Sequence, residues 1–307
     1  MKTCSNGTKK DRKVGNSMET RWLYNTPETL RELREASNRT CVIPMGCVEK
    51  HGLHLPLGTD IIHASAATYE ASKLETFCVF PDFTFGDVPD NAPTMPMGSI
   101  GLPVTTQMLL LEQLCEQISR HGFNKIIVLN GHGGNVAWLN TFMRKLSTKK
   151  RDFVFAVVTM GLYAPHKMAE RILEKGDSAY PELTKEDIDL VLKYHNENML
   201  IGHACFGETA LIMGIAPESV RLDRLGIESG HSTHKSDYLN KAGITMVDGG
   251  WGVDYPNAYA GDDPIGCNER IGKAALRHTA ERIAEKIRVI KHDENLLKWQ
   301  EERQRGW

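Results

Sequence analysis

The sequence predicts an α/β fold in which a mostly parallel central sheet is covered by helices on both faces. Three observations predict it. Short apolar runs of strand length alternate with longer segments of helical period, and turns rich in Gly, Pro, Asn or Asp separate them. Acidic and imidazole side chains also stand just after two of the runs, where ligands gather in parallel sheets.

Taken in order, Thr26-Pro27-Glu28 reads as an N-cap, a first-turn proline and an early acid, opening a helix through Leu30, Leu33 and Ala36. Cys41 to Met45 is a buried strand. Asp60 to Leu74 has helical spacing, and Phe77 to Phe80 is a short strand. Gly86 to Pro103 reads as a long loop. Thr105 caps a helix through Met108, Leu111, Leu114 and Ile118 that stops at Gly122. Lys125 to Asn130 is a strand, Asn135 to Leu146 a helix and Phe153 to Met160 a strand. Leu162 to Lys175 and Thr184 to Met199 follow as helices. Glu208 to Met213 is a short apolar segment opened by an acid, and Ile244 to Val247 reads as a last strand. Asn268 to about Asp293 repeats apolar residues at Ile271, Ala275, Ala280, Ile283 and Ile287, the pattern of an outer-layer helix.

The 307 residues suffice for one substantial core, read as a single domain over 19–307 behind a polar, basic tail at 1–18, with Met18 a second potential start. A formal net charge of −2 offers no basic field for nucleic acid. Seven scattered cysteines without a CxxC pair argue against a disulfide framework and a zinc knuckle, so free thiols in a reducing cytoplasm are expected. No apolar stretch approaches the length of a membrane span, and the tail lacks the apolar run of a signal peptide.

The chemistry sits in EKHGLHLPLGTD, Glu49 to Asp60, and NGHGGN, Asn130 to Asn135. Residues two apart in extended chain point the same way, so Glu49 and His51 face one place. Asp60 follows a Pro56/Gly58 turn and opens a helix that can fold its carboxylate back. His132 comes directly off the second long strand. Glu, His, Asp and His without a thiolate suit Zn, Mn or Fe. Taken singly, each is more often a structural residue, but Gly52, Gly131, Gly133 and Gly134 in the same loops mark tight turns around them.

These two motifs, in this order, resemble the creatininase (creatinine amidohydrolase) family over about Cys41 to Ile290. The resemblance implies an α/β/α sandwich, two metal ions per subunit and homo-oligomers, often hexamers. It implies that Glu49, Asp60 and His132 hold one metal, and that His51 with the shared Asp60 holds the other. In IGHACFGETALIM, His203 and Glu208 match the family's later His and Glu-Thr signature, with the His as general acid or base. The sequence departs from creatinine-hydrolysing members in two places. They carry a metal-binding Glu where this chain has Gly134, and a Trp and acids where it has Met199, Leu200, Ile201 and Gly202. Glu208 is the substitute ligand that the Gly134 form implies.

A water acidified between two ions would attack a carbonyl, and His203 would protonate the leaving group. Gly133 and Gly134 amides, with Asn135, are candidate substrate contacts, although Asn135 can equally orient its loop. Asp254 and Tyr255, in WGVDYPNAYAGDD with Asn257 and Tyr259, are further candidates for a polar ring. The leading substrate class is a small cyclic or formyl amide, and opening of a keto-cyclitol ring is the alternative. A non-catalytic metal scaffold is the rival of another class. A serine hydrolase is disfavoured because Met97-Gly98-Ser99-Ile100-Gly101 lacks the first Gly of GxSxG.

Overall fold

The computed structural model describes residues 18–88, 97–161, 164–197, 199–245 and 250–305. Among them the strands are β1 (Thr40–Met45), β2 (Cys78–Val79), β3 (Lys125–Asn130) and β4 (Val154–Thr159). The helices are α1 (Pro27–Ala36), α2 (Thr59–Leu74), α3 (Val104–Arg120), α4 (Asn135–Leu146), α5 (Ala164–Lys175) and α6 (Lys185–Asn196). They continue as α7 (Phe206–Ile215), α8 (Asp237–Lys241), α9 (Trp251–Asp254), α10 (Glu269–His292) and α11 (Leu296–Gln304).

The strands form one parallel sheet in the order β2-β1-β3-β4. Alternate residues of β1 and β3 serve opposite cores, which makes the three layers. Val42, Ile127 and Leu129 pack with Ala67 and Ala71 of α2, Met168 of α5, Val191 of α6, Leu211 of α7 and Ile283 of α10. Cys41, Ile43, Ile126 and Val128 pack on the other face with Leu33 of α1, Leu111 and Ile118 of α3, and Phe142 of α4. Register aligns Met45 with Asn130, and Asn130 with Thr159, so β1 and β3 end level. The residues that follow them are therefore delivered to one edge.

Most expected boundaries hold. Thr26 and Thr184 form reciprocal capping boxes with Thr29 and Asp187, and the Asn268 side chain accepts from Arg270 and Ile271 N–H. Four differ. Thr105 lies inside the first turn of α3, whose cap position is Pro103 without a side-chain bond. The strand expected at Phe77 to Phe80 shortens to two residues. Glu208 to Met213 lies within α7, where Phe206 to Ile212 are buried throughout and leave no polar face to betray the helical period. Ile244 and Thr245 are in no strand, and Met246 and Val247 lie outside the described residues, as does Leu162.

Two glycines seat α2 against the strand ends. A β-carbon on Gly46 would lie 2.5 Å from the Ile61 nitrogen, and one on Gly131 would lie 2.9 Å from the Asp60 carbonyl oxygen. Their bareness lets the first turn of α2 sit directly on the exits of β1 and β3, which brings Asp60 inward.

Candidate metal centre

The chain leaving β1 is pinned as it runs along the sheet edge. Glu49 N–H donates to Leu57 C=O, Ile100 N–H donates to Val48 C=O, and Gly52, at φ +58°, donates to Ala258 C=O. Ser99 belongs to this scaffold too, since its hydroxyl accepts the Lys50 N–H at 3.0 Å. The loop after β3 is held by Asn130, whose amide brackets the main chain of His132 at 2.8 and 3.2 Å. His203 is fixed by a two-way main-chain pair with Ala260, both bonds 2.8 Å.

The fold brings Glu49, His51, Asp60, His132, His203 and Glu208 together. Asp60 lies between two groups of donors. Its Oδ2 is 2.7 Å from His132 Nδ1 and 3.0 Å from Cys47 Sγ, while Oδ1 is 3.2 Å from His51 Nε2. Glu49 Oε1 stands 3.1 Å from His132 Nδ1, and Glu208 Oε1 3.7 Å from His51 Nε2. Donor atoms of Cys47, Glu49, Asp60 and His132 all fall within 4.8 Å of one another, as do those of His51, Asp60 and Glu208, and those of Glu49, His51 and His203.

Each of the three imidazoles has one nitrogen against a backbone carbonyl. His51 Nδ1 is 3.2 Å from Glu49 C=O, His132 Nε2 2.9 Å from Asp87 C=O, and His203 Nε2 2.8 Å from Lys50 C=O. A carbonyl can only accept, so these nitrogens carry the protons, and the lone pairs of the others face the carboxylates. Lone pairs aimed at carboxylate oxygens require a positive species between them. The cluster's own lysine is turned away, with Lys50 Nζ paired to Glu228 at 2.7 Å. Among the described residues, every ion pair of Glu49, Asp60 and Glu208 is with an imidazole.

The electrostatics agree. Burial alone would lower the pKa of His51 and His132, but the charges of Asp60, with Glu208 beside the first and Glu49 beside the second, raise both well above the ordinary imidazole range. Burial opposes ionisation of Asp60 and Glu49 as well. The facing imidazoles nevertheless hold Glu49 below the ordinary carboxylate range and Asp60 well below it. Without a cation, protons on the histidines must balance the acids. Divalent ions fit the same positions, in keeping with the buried Glu49 Oε1, which has no hydrogen bond among the described residues.

The other candidate residues lie around this cluster with partners of their own. Asn135 is fully buried; its Oδ1 accepts from Asp87 N–H and Trp138 Nε1, and its Nδ2 donates to Asn130. It orients the loop, while Gly134 occupies the α4 cap position. Gly133 and Gly134 are exposed at that helix start. The Asp254 carboxylate clamps the Ser236 N–H and hydroxyl. Tyr255 touches Trp251, whose ring meets the His203 ring edge-on at 5.3 Å, so Tyr255 is one ring removed from the cluster. Asn257 donates to Ser229 C=O, and Tyr259 is bonded to Asp263.

Three neighbours were not anticipated. Cys47 shares the parity of Glu49 and His51, and burial followed by the Asp60 and Glu49 charges pushes its thiol well above its ordinary pKa. His63, one helical turn after Asp60, is fully buried with Nε2 3.6 Å from Asp60 Oδ1 and neither ring nitrogen hydrogen-bonded among the described residues. Trp251 had a legible neighbourhood but no signal for its place against His203.

The creatininase family model, described as creatinine amidohydrolase, matches residues 25–287. The chain belongs to this family. A mycofactocin precursor peptide peptidase of Mycobacterium tuberculosis is 30% identical over 141 residues, 43% of this chain and 55% of that protein. The match thus spans about half the length of that curated relative. Among solved structures, a putative creatinine amidohydrolase from Bacteroides fragilis superposes with a TM-score of 0.66 at 22% identity, covering 91% of this chain and 99% of the other. A zinc–zinc form of a mutant creatininase gives 0.65 at 18% identity, covering 90% and 100%. At these identities the structural likeness concerns the fold, and it agrees with the parallel sheet between two helical layers. No helix among the described residues is long and apolar enough to cross a membrane.

Proposed function

We propose that this chain is a metal-dependent amidohydrolase that binds two divalent cations and cleaves the amide of a small cyclic or formyl substrate. The observation that carries the proposal is the inward aim of three imidazole nitrogens at three buried carboxylates, each ring held by a backbone carbonyl on its other nitrogen. Glu49, Asp60 and His132 hold one cation; His51, Asp60 and Glu208 hold the second, with Glu208 supplying the ligand that Gly134 cannot. Zinc or manganese suits these nitrogen and oxygen donors. When bound, the pair supplies a water acidified toward neutrality and an electrophilic anchor for a carbonyl oxygen.

The protein's own residues do the rest. His203 Nδ1, 3.7 Å from Glu49 Oε1, faces the place where an attacking water and a leaving nitrogen must meet. Its Nε2–H stays donated to the Lys50 carbonyl, so Nδ1 alone can take a proton from the nucleophile and return it to the departing amine. Stacking on His51, with ring centroids 3.9 Å apart, fixes the plane of that transfer. Trp251 walls the outer side and presents an apolar surface to a small ring. A peptide amide is a second reading, favoured by the match to a peptide peptidase.

The test is metal analysis of the purified protein, then turnover before and after chelation on creatinine, formamides, lactams, short peptides and keto-cyclitols. Two equivalents of metal and chelator-sensitive release of an amine are expected. Stoichiometric metal with no turnover on any carbonyl substrate would overturn the enzymatic reading in favour of a metal-binding scaffold.

A further inference from the structure

Cys47 is the one sulfur in this cluster among the described residues, and nothing in the function proposed above uses it. Its side chain is fully buried, its Sγ lies 3.0 Å from Asp60 Oδ2, and it shares a 4.8 Å sphere with the donor atoms of Glu49, Asp60 and His132. A second observation points to a ligand at the same spot. Glu49 Oε1 is buried in that sphere without a hydrogen bond among the described residues, and His132 Nδ1, 3.1 Å away, turns its lone pair toward it.

We propose that Cys47 Sγ is the fourth donor to the cation held by Glu49, Asp60 and His132, which makes the two metal positions chemically unequal. The inference rests on the metal-dependent reading above and goes beyond it. A tetrahedral zinc shell with one sulfur and three lighter donors places its ligand atoms about 3.3–3.8 Å apart. The contacts of 2.7, 3.0 and 3.1 Å within this group are somewhat tighter, so a shell forms by a small opening of side chains already in place. The His51, Asp60 and Glu208 position has only nitrogen and oxygen donors. Soft cations therefore favour the Cys47 position, and manganese or magnesium favours the other. On binding, the metal–sulfur bond replaces the S–H bond and the proton leaves to solvent, with no change of oxidation state. A sulfur donor also lowers the charge on that cation, which leaves the second position as the stronger electrophile.

Cobalt(II) tests this because a thiolate bound to it gives a near-ultraviolet sulfur-to-metal charge-transfer absorption that oxygen and nitrogen ligands do not. The full-length protein, stripped and reloaded with cobalt(II), is compared with Cys47→Ser and Cys47→Ala, bound cobalt being measured in each. The expected result is the band in the parent protein and its loss in both variants, with cobalt still bound at the second position. Cadmium affinity should fall at least ~10-fold in Cys47→Ser while manganese affinity changes far less. Bound cobalt without the band in the parent, or a band that survives both substitutions, would overturn the role of Cys47 and leave the hydrolase reading standing. Failure of the parent protein to bind cobalt at all would overturn both.

Discussion

Replacing Gly46 by Ala tests whether close backbone packing, rather than the carboxylate alone, places Asp60 in the candidate metal cluster. The added β-carbon would stand 2.5 Å from the Ile61 nitrogen and 2.7 Å from the Asp60 carbonyl carbon and Ile61 Cα, all main-chain atoms that no rotamer change can move. Reaching even 3.0 Å requires the first turn of α2 to withdraw by roughly half an ångström, and ordinary contact requires nearly one. Asp60 rides on that turn. Its 2.7 Å approach to His132 and 3.2 Å approach to His51 should lengthen by a similar amount. Overpacking of this kind costs about 1–3 kcal/mol, and in a chain of this size each kcal/mol lowers Tm by about 2–4 °C. Zinc affinity should fall at least ~10-fold, because in the proposed site both cations would share the displaced carboxylate. The assay pairs thermal unfolding of chelated and zinc-loaded protein with competitive zinc titration. Gly133→Ala is the control, since a β-carbon there meets no heavy atom within 4 Å and should change stability by less than about 0.5 kcal/mol. If Gly46→Ala matched Gly133→Ala in both Tm and zinc affinity, the glycine contact would have no part in seating Asp60.

The other expectations follow from the same geometry. His132→Ala should strip the metal, whereas His203→Ala should retain it and lower turnover by about 10²–10⁴-fold; loss of metal from His203→Ala in elemental analysis would refute the proton-carrier role. Phe142→Ala removes a fully buried ring that contacts Phe155 edge-on at 5.2 Å and should cost about 3–5 kcal/mol in urea unfolding, a loss below 1 kcal/mol contradicting the assigned packing. Burial, aided by Arg171, pushes the His278 pKa from 6.5 down to about 4, with Nδ1 accepting the Tyr180 hydroxyl at 2.7 Å. The unfolded chain therefore binds the extra proton between those values, so stability should be intact above pH 6.5 and decline as pH falls toward 4. His278→Gln should flatten that part of the stability profile relative to the parent, and an unchanged slope would show that His278 does not contribute it.

What the sequence reveals depends on how locally each feature is encoded. β1 and β3 are legible because six consecutive buried positions, bounded by turn residues, carry the strand signal by themselves. Glu49 and His51 follow from period two, and Asp60 from the turn that opens α2. Cys47 obeys the same parity but is discounted when the donor set is sought among acids and imidazoles alone. α7 is opaque because its buried face extends all round, so its period vanishes. His203 and Glu208 are more than 140 residues from the first motif, and only the resemblance links them to it. Nothing local in Asp254 indicates that its carboxylate is taken by Ser236.

The loop after β1 also supplies more than ligands, which explains why so short a motif can specify so much. The Glu49 carboxylate enters the cluster while its carbonyl orients His51, and the Lys50 carbonyl orients His203 from a segment 153 residues away. One extended stretch thus sets the tautomers of two imidazoles by backbone atoms that no substitution deletes. A substitution at Trp251, whose ring meets His203 edge-on, would then change the surroundings of that imidazole while leaving the carbonyls that fix the proton positions in place.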